Sequence, residues 1–312
     1  MNQPPNKPSV RFIEIGEERA GQRLDNFLLA ELGRPPKSVI YKMIRKGEVR
    51  INKGRCKPEN KLALGDVVRI PPFDVPEADA PVSIGNRLLD TIRESIIYDC
   101  AEFMVINKPS GLAVHGGSGL SFGLIEALRQ IFPDNKQMEL VHRLDRDTSG
   151  CIVVAKKRAA LREFHRMLRE GEMDKRYWAL VEGRWPNRKK MVSAPLKKNE
   201  LRSGERVVRV SPEGKESLTE FAVLRRFSDS TLVEAKPITG RTHQIRVHAQ
   251  YAGHPLIGDD KYGTDQVNQS FKNRGIGRLF LHAQSLSFPW KKSRISVEAP
   301  LESVLIQAME AL

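Results

Sequence analysis

Nine consecutive residues, His142-Arg143-Leu144-Asp145-Arg146-Asp147-Thr148-Ser149-Gly150, crowd polar and charged side chains together just before an apolar run, Cys151-Ile152-Val153-Val154-Ala155. A loop feeding a rigid strand can hold a reactive side chain in fixed geometry and still leave it reachable. A carboxylate there can act as nucleophile, general base or metal ligand. Equally, Asp145 and Asp147 can cap turns and pair with Arg143 and Arg146. A second block, Thr239-Gly240-Arg241-Thr242-His243-Gln244-Ile245-Arg246-Val247-His248, is dominated by arginine and histidine. His243 and His248, with His142 and Asp145, raise the question of a metal site. Their i, i+5 spacing fits neither a helix face nor one face of a strand, so no metal is expected. A third block, Lys175-Arg176-Tyr177-Trp178, puts two aromatics side by side on a strand pattern, where they must point to opposite faces. Tyr177 is either a hydrogen-bonded core tyrosine or a site residue.

The elements that must position these blocks are readable around them. Ile96-Ile97-Tyr98 and Phe103-Met104-Val105-Ile106 read as strands joined by a polar turn, and Asn107-Lys108-Pro109-Ser110-Gly111 forces a loop. Glycines at 116, 117, 119 and 123 extend that loop as a rim beside a site. The stretch lacks the Gly-Lys-Ser/Thr ending of a phosphate-binding loop, so no nucleotide cofactor is expected. A helix is predicted over Arg158 to Glu170, with Leu161, Phe164 and Leu168 inward and Gly171 as its stop. Strands follow at Lys175 to Gly183, Thr231 to Ala235 and Leu279 to Ala283, with a turn at Gly258 to Gly263. His254 and His282 read as core or turn histidines.

With 312 residues the chain is long enough for one small and one larger domain. Its 40% hydrophobic and 29% charged residues exclude collagen-like, largely disordered and membrane-spanning classes. Met1-Asn2-Gln3-Pro4-Pro5 lacks the basic and apolar segments of a secretory signal, so a cytoplasmic location is expected. Cys56, Cys100 and Cys151 are widely spaced and read as reduced thiols. A formal charge of +14 favours polyanionic partners, nucleic acid first.

Much of that charge lies near the front. Leu24, Phe27, Leu28 and Leu32 share a helical face, and a second helix is predicted in which Val39, Ile40, Met43 and Ile44 pack while Lys37, Tyr41, Lys42, Arg45 and Lys46 stay outside. Gly47 ends it. Val49 to Asn52 and Val67 to Ile70 read as strands, with Lys53-Gly54 as a turn. Ten basic residues against two acidic ones fall between Arg34 and Lys61, a stripe suited to a phosphate backbone. The order of elements, with Arg23-Leu24-Asp25, Arg45-Lys46-Gly47 and Val49-Arg50-Ile51-Asn52, resembles the S4 RNA-binding domain. The expected organisation is an N-terminal extension over 1–20, an S4 module over 21–75, a linker over 76–90 and a catalytic domain over 91–312. Pro71, Pro72, Pro76 and Pro81, among Asp74, Glu77 and Asp79, mark the linker.

Asn107 to Gly111, Val114-His115-Gly116-Gly117, His142 to Gly150, Lys175-x-Tyr177, Gly214-Lys215, Thr239 to His248 and His254-Pro255 occur in an order that resembles the pseudouridine synthases of ribosomal large-subunit RNA. That resemblance spans about residues 21 to 300. It implies an α+β fold with a mixed, mainly antiparallel sheet flanked by helices. It also implies Asp145 as the catalytic aspartate, Tyr177 as the active-site tyrosine, and Ile245 and Arg246 as the pair lining the pocket. An aspartate ionises near pH 3.9 in model compounds, and an adjacent Arg246 would keep Asp145 charged as a nucleophile. The target base must leave its stack; Arg143 is then placed to fill the gap, and Tyr177 to stack on the base and help remove the C5 proton. His142 and Arg241 are expected at the RNA, with Lys37, Lys42, Arg45 and Lys46 on the phosphates. The implied substrate is 23S ribosomal RNA, handled by a monomer without cofactor or metal. Two rivals are a non-catalytic S4-type ribosomal RNA-binding or assembly protein, and a metal-dependent RNA hydrolase.

Overall fold

Leu24, Phe27, Leu28 and Leu32 are fully buried, as their 3.6-residue spacing requires, and each such side chain contributes about 1.5–3 kcal/mol of burial energy. In the computed structural model, which describes residues 9–33, 35–73, 84–116, 122–135, 137–188, 190–200 and 206–312, they anchor the first of two compact units, Met1–Ser83 and Ile84–Leu312. The first unit holds strand β1 (Arg11–Glu14), helices α1 (Leu24–Glu31) and α2 (Lys37–Lys46), and strands β2 (Arg50–Ile51) and β3 (Val67–Ile70). Its sheet has the order β1-β3-β2, antiparallel throughout. Asp25, buried on α1, accepts hydrogen bonds from the Arg23 guanidinium at 2.7 and 3.0 Å and from the Tyr41 hydroxyl of α2 at 3.3 Å. The Arg23 hydrogen bond holds its carboxyl below the ordinary aspartate value. Gly47 ends α2 at φ 74°, the left-handed conformation that favours glycine.

Three expectations for this part are corrected. Residues 11–14, assigned to the extension over 1–20, form the edge strand β1 of the sheet. Phe12 is 66% exposed, so no buried alternation marks the strand in the sequence. The turn falls at Asn52 and Lys53, both at positive φ, rather than at Lys53-Gly54. The linker assigned to 76–90 ends early, because helix α3 runs over Asn86–Glu94 with Ile92 buried against the second unit's core. Pro76, Pro81, Glu77 and Asp79 lie outside the described residues, as do Arg34, Gly117 and Gly119.

In the second unit α3 is followed by β4 (Ile96–Asp99), β5 (Phe103–Lys108), α4 (Leu124–Ile131), β6 (Glu139–Leu140), β7 (Ser149–Ala155) and α5 (Arg158–Glu170). Then come β8 (Asp174–Glu182), β9 (Met191–Ser193), β10 (Leu196–Glu200), β11 (Arg206–Val210), β12 (Leu218–Arg226) and β13 (Ser230–Pro237). Helices α6 (Gln244–Tyr251) and α7 (Asp265–Asn273), strands β14 (Leu281–Trp290) and β15 (Ser293–Glu298), and helix α8 (Ser303–Glu310) complete it. The fold is α+β. Its main sheet runs β4-β5-β7-β14-β8-β13-β12-β9, with β15 on β14 and β6 on β7, while β10 and β11 form a separate hairpin. Only the β7–β14 pair is parallel among the described residues, so the sheet is mixed and mainly antiparallel.

That one parallel crossing sits where the polar loop of residues 142–148 enters β7. Gly150 has φ 105°, and a Cβ there would lie 2.3 Å from the Ala283 carbonyl oxygen of β14. Only glycine permits this approach. Behind it, Phe103, Phe164, Phe288 and Trp290 pack with ring centroids 4.8–5.7 Å apart and lock α5 against the sheet. The three cysteines are free thiols.

Candidate active site

The loop between β6 and β7 is held from below by Lys108, the last residue of β5. Its side chain is fully buried, and Nζ donates to the carbonyl oxygens of Pro109 (2.8 Å), Leu112 (2.8 Å) and Arg146 (2.9 Å). Burial pushes this ammonium down to about 7. The Ser110 hydroxyl adds a bond to the Asp147 carbonyl at 2.8 Å. Two residues apart in this loop, the carboxylates diverge. Asp147 pairs with its neighbour Arg146 at 3.1 Å, as the turn-capping alternative predicts. Asp145 does not pair with Arg143; its Oδ2 faces Nη1 of Arg246 at 3.6 Å and Nε2 of His243 at 3.8 Å, both from the 239–248 block.

Arg246 is itself held. Its Nε and Nη2 donate to the two carboxylate oxygens of Asp259, each at 2.7 Å, and the Asp259 side chain has no exposed surface. Burial opposes the guanidinium's charge, but the Asp259 hydrogen bonds and charge outweigh it. Asp259 also accepts the backbone N–H groups of Lys261 (3.0 Å) and Tyr262 (3.1 Å). A bidentate pair of this kind fixes the plane of the arginine.

Asp145 and Arg246 open onto a cavity of about 600 Å³, whose lining includes Tyr177, Ile245, Arg143, His142 and Arg241. The structure therefore brings the expected nucleophile, tyrosine, arginines, isoleucine and His142 to one cavity, while Asp147 and His248 lie outside its lining. Tyr177 belongs to β8, with its ring among the buried core of one sheet face; Trp178, on the other face, is half-buried against a second apolar cluster. Burial first, and the Asp145 charge second, push the Tyr177 phenol far above the ordinary tyrosine value. It keeps its proton in the free site, and a neutral phenol is a weak base. His142 is turned inward, its Nε2 accepting the Val153 N–H of β7 at 3.2 Å. Burial and the nearby Lys175 ammonium push this ring down to about 3 and keep it neutral. Arg143 and Arg241 are exposed at the cavity, with Arg241 Nε reaching the Glu216 carbonyl at 3.3 Å.

Lys37, Lys42, Arg45 and Lys46 belong to the other unit, on the exposed face of α2. His243 and His248 diverge: His248 is buried between Thr219 (2.9 Å) and the Ala194 carbonyl (3.1 Å), while His243 meets Tyr262. His254 and His282 bond backbone carbonyls of Glu182 and Ala299. Lys108, Asp259 and Tyr262 were not singled out as site residues, and His243 was weighed only as a metal ligand. The density of Gly-Asp-Asp-Lys-Tyr-Gly at 258–263 was the available signal, and it reads as an ordinary turn until Arg246 is placed beside it.

A cavity with a carboxylate and a clamped arginine, in a sheet-based unit preceded by a small basic module, defines a class of RNA-modifying enzyme. Residues 102–251 match the RNA pseudouridylate synthase family and residues 22–68 the S4 domain. The chain is 53% identical over 307 residues to ribosomal large subunit pseudouridine synthase C of Pasteurella multocida (strain Pm70), covering 97% of this chain and 94% of that one. Identity to the protein of the same name from Escherichia coli (strain K12) is 53% over 310 residues, covering 98% and 97%. The solved structure of human RNA pseudouridylate synthase domain containing 4 superposes with TM-score 0.58 at 25% identity, over 72% of this chain and 95% of that one. The chain belongs to the RNA pseudouridylate synthase family, with an S4 domain in front.

Proposed function

We propose that this protein isomerises uridines of 23S ribosomal RNA to pseudouridine, with Asp145 as the nucleophile, acting as a cytoplasmic monomer without cofactor or metal. The observation that carries the reading is the Asp145 carboxylate at the cavity, 3.6 Å from an arginine that Asp259 clamps. The near-full-length likeness to proteins named for the large ribosomal subunit supports the substrate. The reaction breaks the bond from N1 to the sugar, turns the base and rejoins it through C5, releasing the C5 proton and returning one to N1. Atoms and electrons balance without a co-reactant.

A cavity of about 600 Å³ lies within the usual range for sites that enclose a small ligand, and it accommodates one nucleoside. Flipping the base costs a few kcal/mol. Arg143, exposed at the rim, is the side chain available to fill the vacated stack. Tyr177 and Ile245 supply the flat and apolar walls against which the base rests, while Arg246 directs the carboxylate. His142 serves to seat the loop on β7, and Arg241 contacts the RNA at the rim. The S4 module, through Lys37, Lys42, Arg45 and Lys46, neutralises phosphates and holds the substrate. No helix among the described residues is long and apolar enough to cross a membrane.

The test is release of tritium to water from ribosomal RNA labelled at uridine C5, for the native protein and for Asp145→Asn. Release by the native protein alone, unchanged by a chelator, is the expected result. No release on free RNA or on ribosomal precursors would leave a binding or assembly protein as the better account.

A further inference from the structure

Beside Arg246, one more side chain faces the Asp145 carboxylate, and its backbone is unusual. His243 has φ 53° and ψ 18°, a left-handed conformation uncommon for a residue with a side chain, at the position that begins α6. Its Nε2 lies 3.8 Å from Oδ2 of Asp145, and its Nδ1 lies 2.7 Å from the Tyr262 hydroxyl. The Tyr262 oxygen already accepts the Val208 N–H of β11 at 2.9 Å.

These contacts decide the tautomer. Tyr262 is walled by Leu196, Val208 and Val247, and burial pushes its phenol up, so it keeps its proton. If Nδ1 carried the imidazole hydrogen, it would donate to the tyrosine oxygen, and the hydroxyl proton would need another acceptor inside this apolar pocket, which is costly. With the hydroxyl donating to Nδ1, the Tyr262 hydroxyl and Nδ1 are both satisfied and the hydrogen sits on Nε2, facing Asp145. Burial pushes the His243 ring down as well, and the opposing influences of Asp145 and Arg246 leave it neutral at pH 7.

Resting on the isomerase reading above, we propose that His243 is a positioning residue of the reaction. A chain from the Val208 N–H through Tyr262 to His243 presents Nε2–H to the Asp145 carboxylate and, with Arg246, sets its orientation for attack. At 3.8 Å the contact is longer than a hydrogen bond and tightens when the base enters. The β10–β11 hairpin, which carries Lys197, Lys198 and Arg209 beside Val208, is the anchor of this chain.

Single-turnover tritium release and RNA affinity are measured for His243→Asn, His243→Gln, Tyr262→Phe and the double variant His243→Asn with Tyr262→Phe. Asparagine tolerates the left-handed backbone but is too short to reach Asp145, whereas glutamine restores a donor near the position of Nε2. The expected result is a rate loss of about 10- to 100-fold for His243→Asn with unchanged RNA affinity, as for a lost hydrogen bond to a charged group. His243→Gln should recover most of it. Tyr262→Phe should slow the native protein yet add nothing to His243→Asn, because the two act through one chain. A native rate for His243→Asn, equal losses for Asn and Gln, a full extra loss in the double variant, or a defect confined to RNA affinity would each overturn the inference. An inactive native protein overturns the isomerase reading and this inference with it; an active one indifferent to His243 overturns this inference alone.

Discussion

The two units hold their functional charges in opposite ways. On α2, Lys37, Lys42, Arg45 and Lys46 stand exposed, spread over about half of the helix surface. Around Asp145, the partners come from the β6–β7 loop, α6 and the segment before α7, and Arg246, Asp259 and His243 are largely withdrawn from water. Exposed charges meet a phosphate backbone additively and are screened by salt, so none needs a fixed neighbour. A carboxylate that must attack one atom needs every neighbour placed beforehand, and buried groups that place one another act as a unit. On the proposed reading, binding is spread thinly over the first unit and chemistry is concentrated in the second.

The largest expected effect breaks the comparison at its catalytic end. Asp145→Asn should reduce tritium release by about 10⁴-fold or more, in line with losses of a nucleophile elsewhere, while RNA affinity in a filter-binding assay stays native. A comparable loss of affinity would mean that the cavity, and not the module, dominates binding. Next, Asp259→Ala strands a buried guanidinium and should lower unfolding free energy by about 3–5 kcal/mol. All three tryptophans, Trp178, Trp185 and Trp290, belong to the second unit, so tryptophan fluorescence during urea unfolding reads that unit. An unshifted transition would show that Asp259 does not hold Arg246 in solution.

A third effect sharpens the contrast through pH. All seven histidines lie in the second unit, and His142, His243, His248 and His282 have pKa values below the ordinary 6.5, burial being the main cause in each. Below pH 6.5 the unfolded chain takes up protons that these folded rings refuse. Stability therefore falls as pH drops from 6.5 toward 3, by at most about 1.4 kcal/mol per pH unit for each ring. The first unit has no histidine, and Asp25, held low by Arg23, keeps its contribution until pH falls below the ordinary aspartate value of 3.8. Urea midpoints by tryptophan fluorescence at pH 7 and pH 5 should differ, and His142→Gln should flatten the difference. Equal midpoints would show that the rings titrate freely. The smallest effect belongs to the module: Lys42→Ala and Arg45→Ala should each weaken RNA binding several-fold and lower the salt slope by about 1, with the single-turnover rate at saturating RNA unaltered.

Local patterns carried much of the fold into view. Helices α1, α2 and α5 follow from apolar spacing, and β5, β7 and β8 from apolar runs, because a side chain's face depends only on its own element's period. Asp145 stood out because polar residues crowd before an apolar strand. Exposed edges left no such mark, so β1 was missed and α3 began inside the expected linker. Strands β9 to β12 were likewise not anticipated: β10 and β11 bury Leu196 and Val208 against Val247 of α6, and β9 and β12 bury Val192 and Phe221 in the main core, contacts that no local period reports.

What the amino-acid order determined by itself is helices α1, α2 and α5, strands β5, β7 and β8, the basic stripe and the loop that presents Asp145. Tertiary structure alone decided that Asp259 clamps the arginine 13 residues before it, and that His243, in contact with Tyr262, faces the Asp145 carboxylate. The reason is physical. Periodicity is a property of neighbours along the chain, whereas a buried ion pair or a tautomer is chosen by whichever groups the fold brings into the same low-dielectric space.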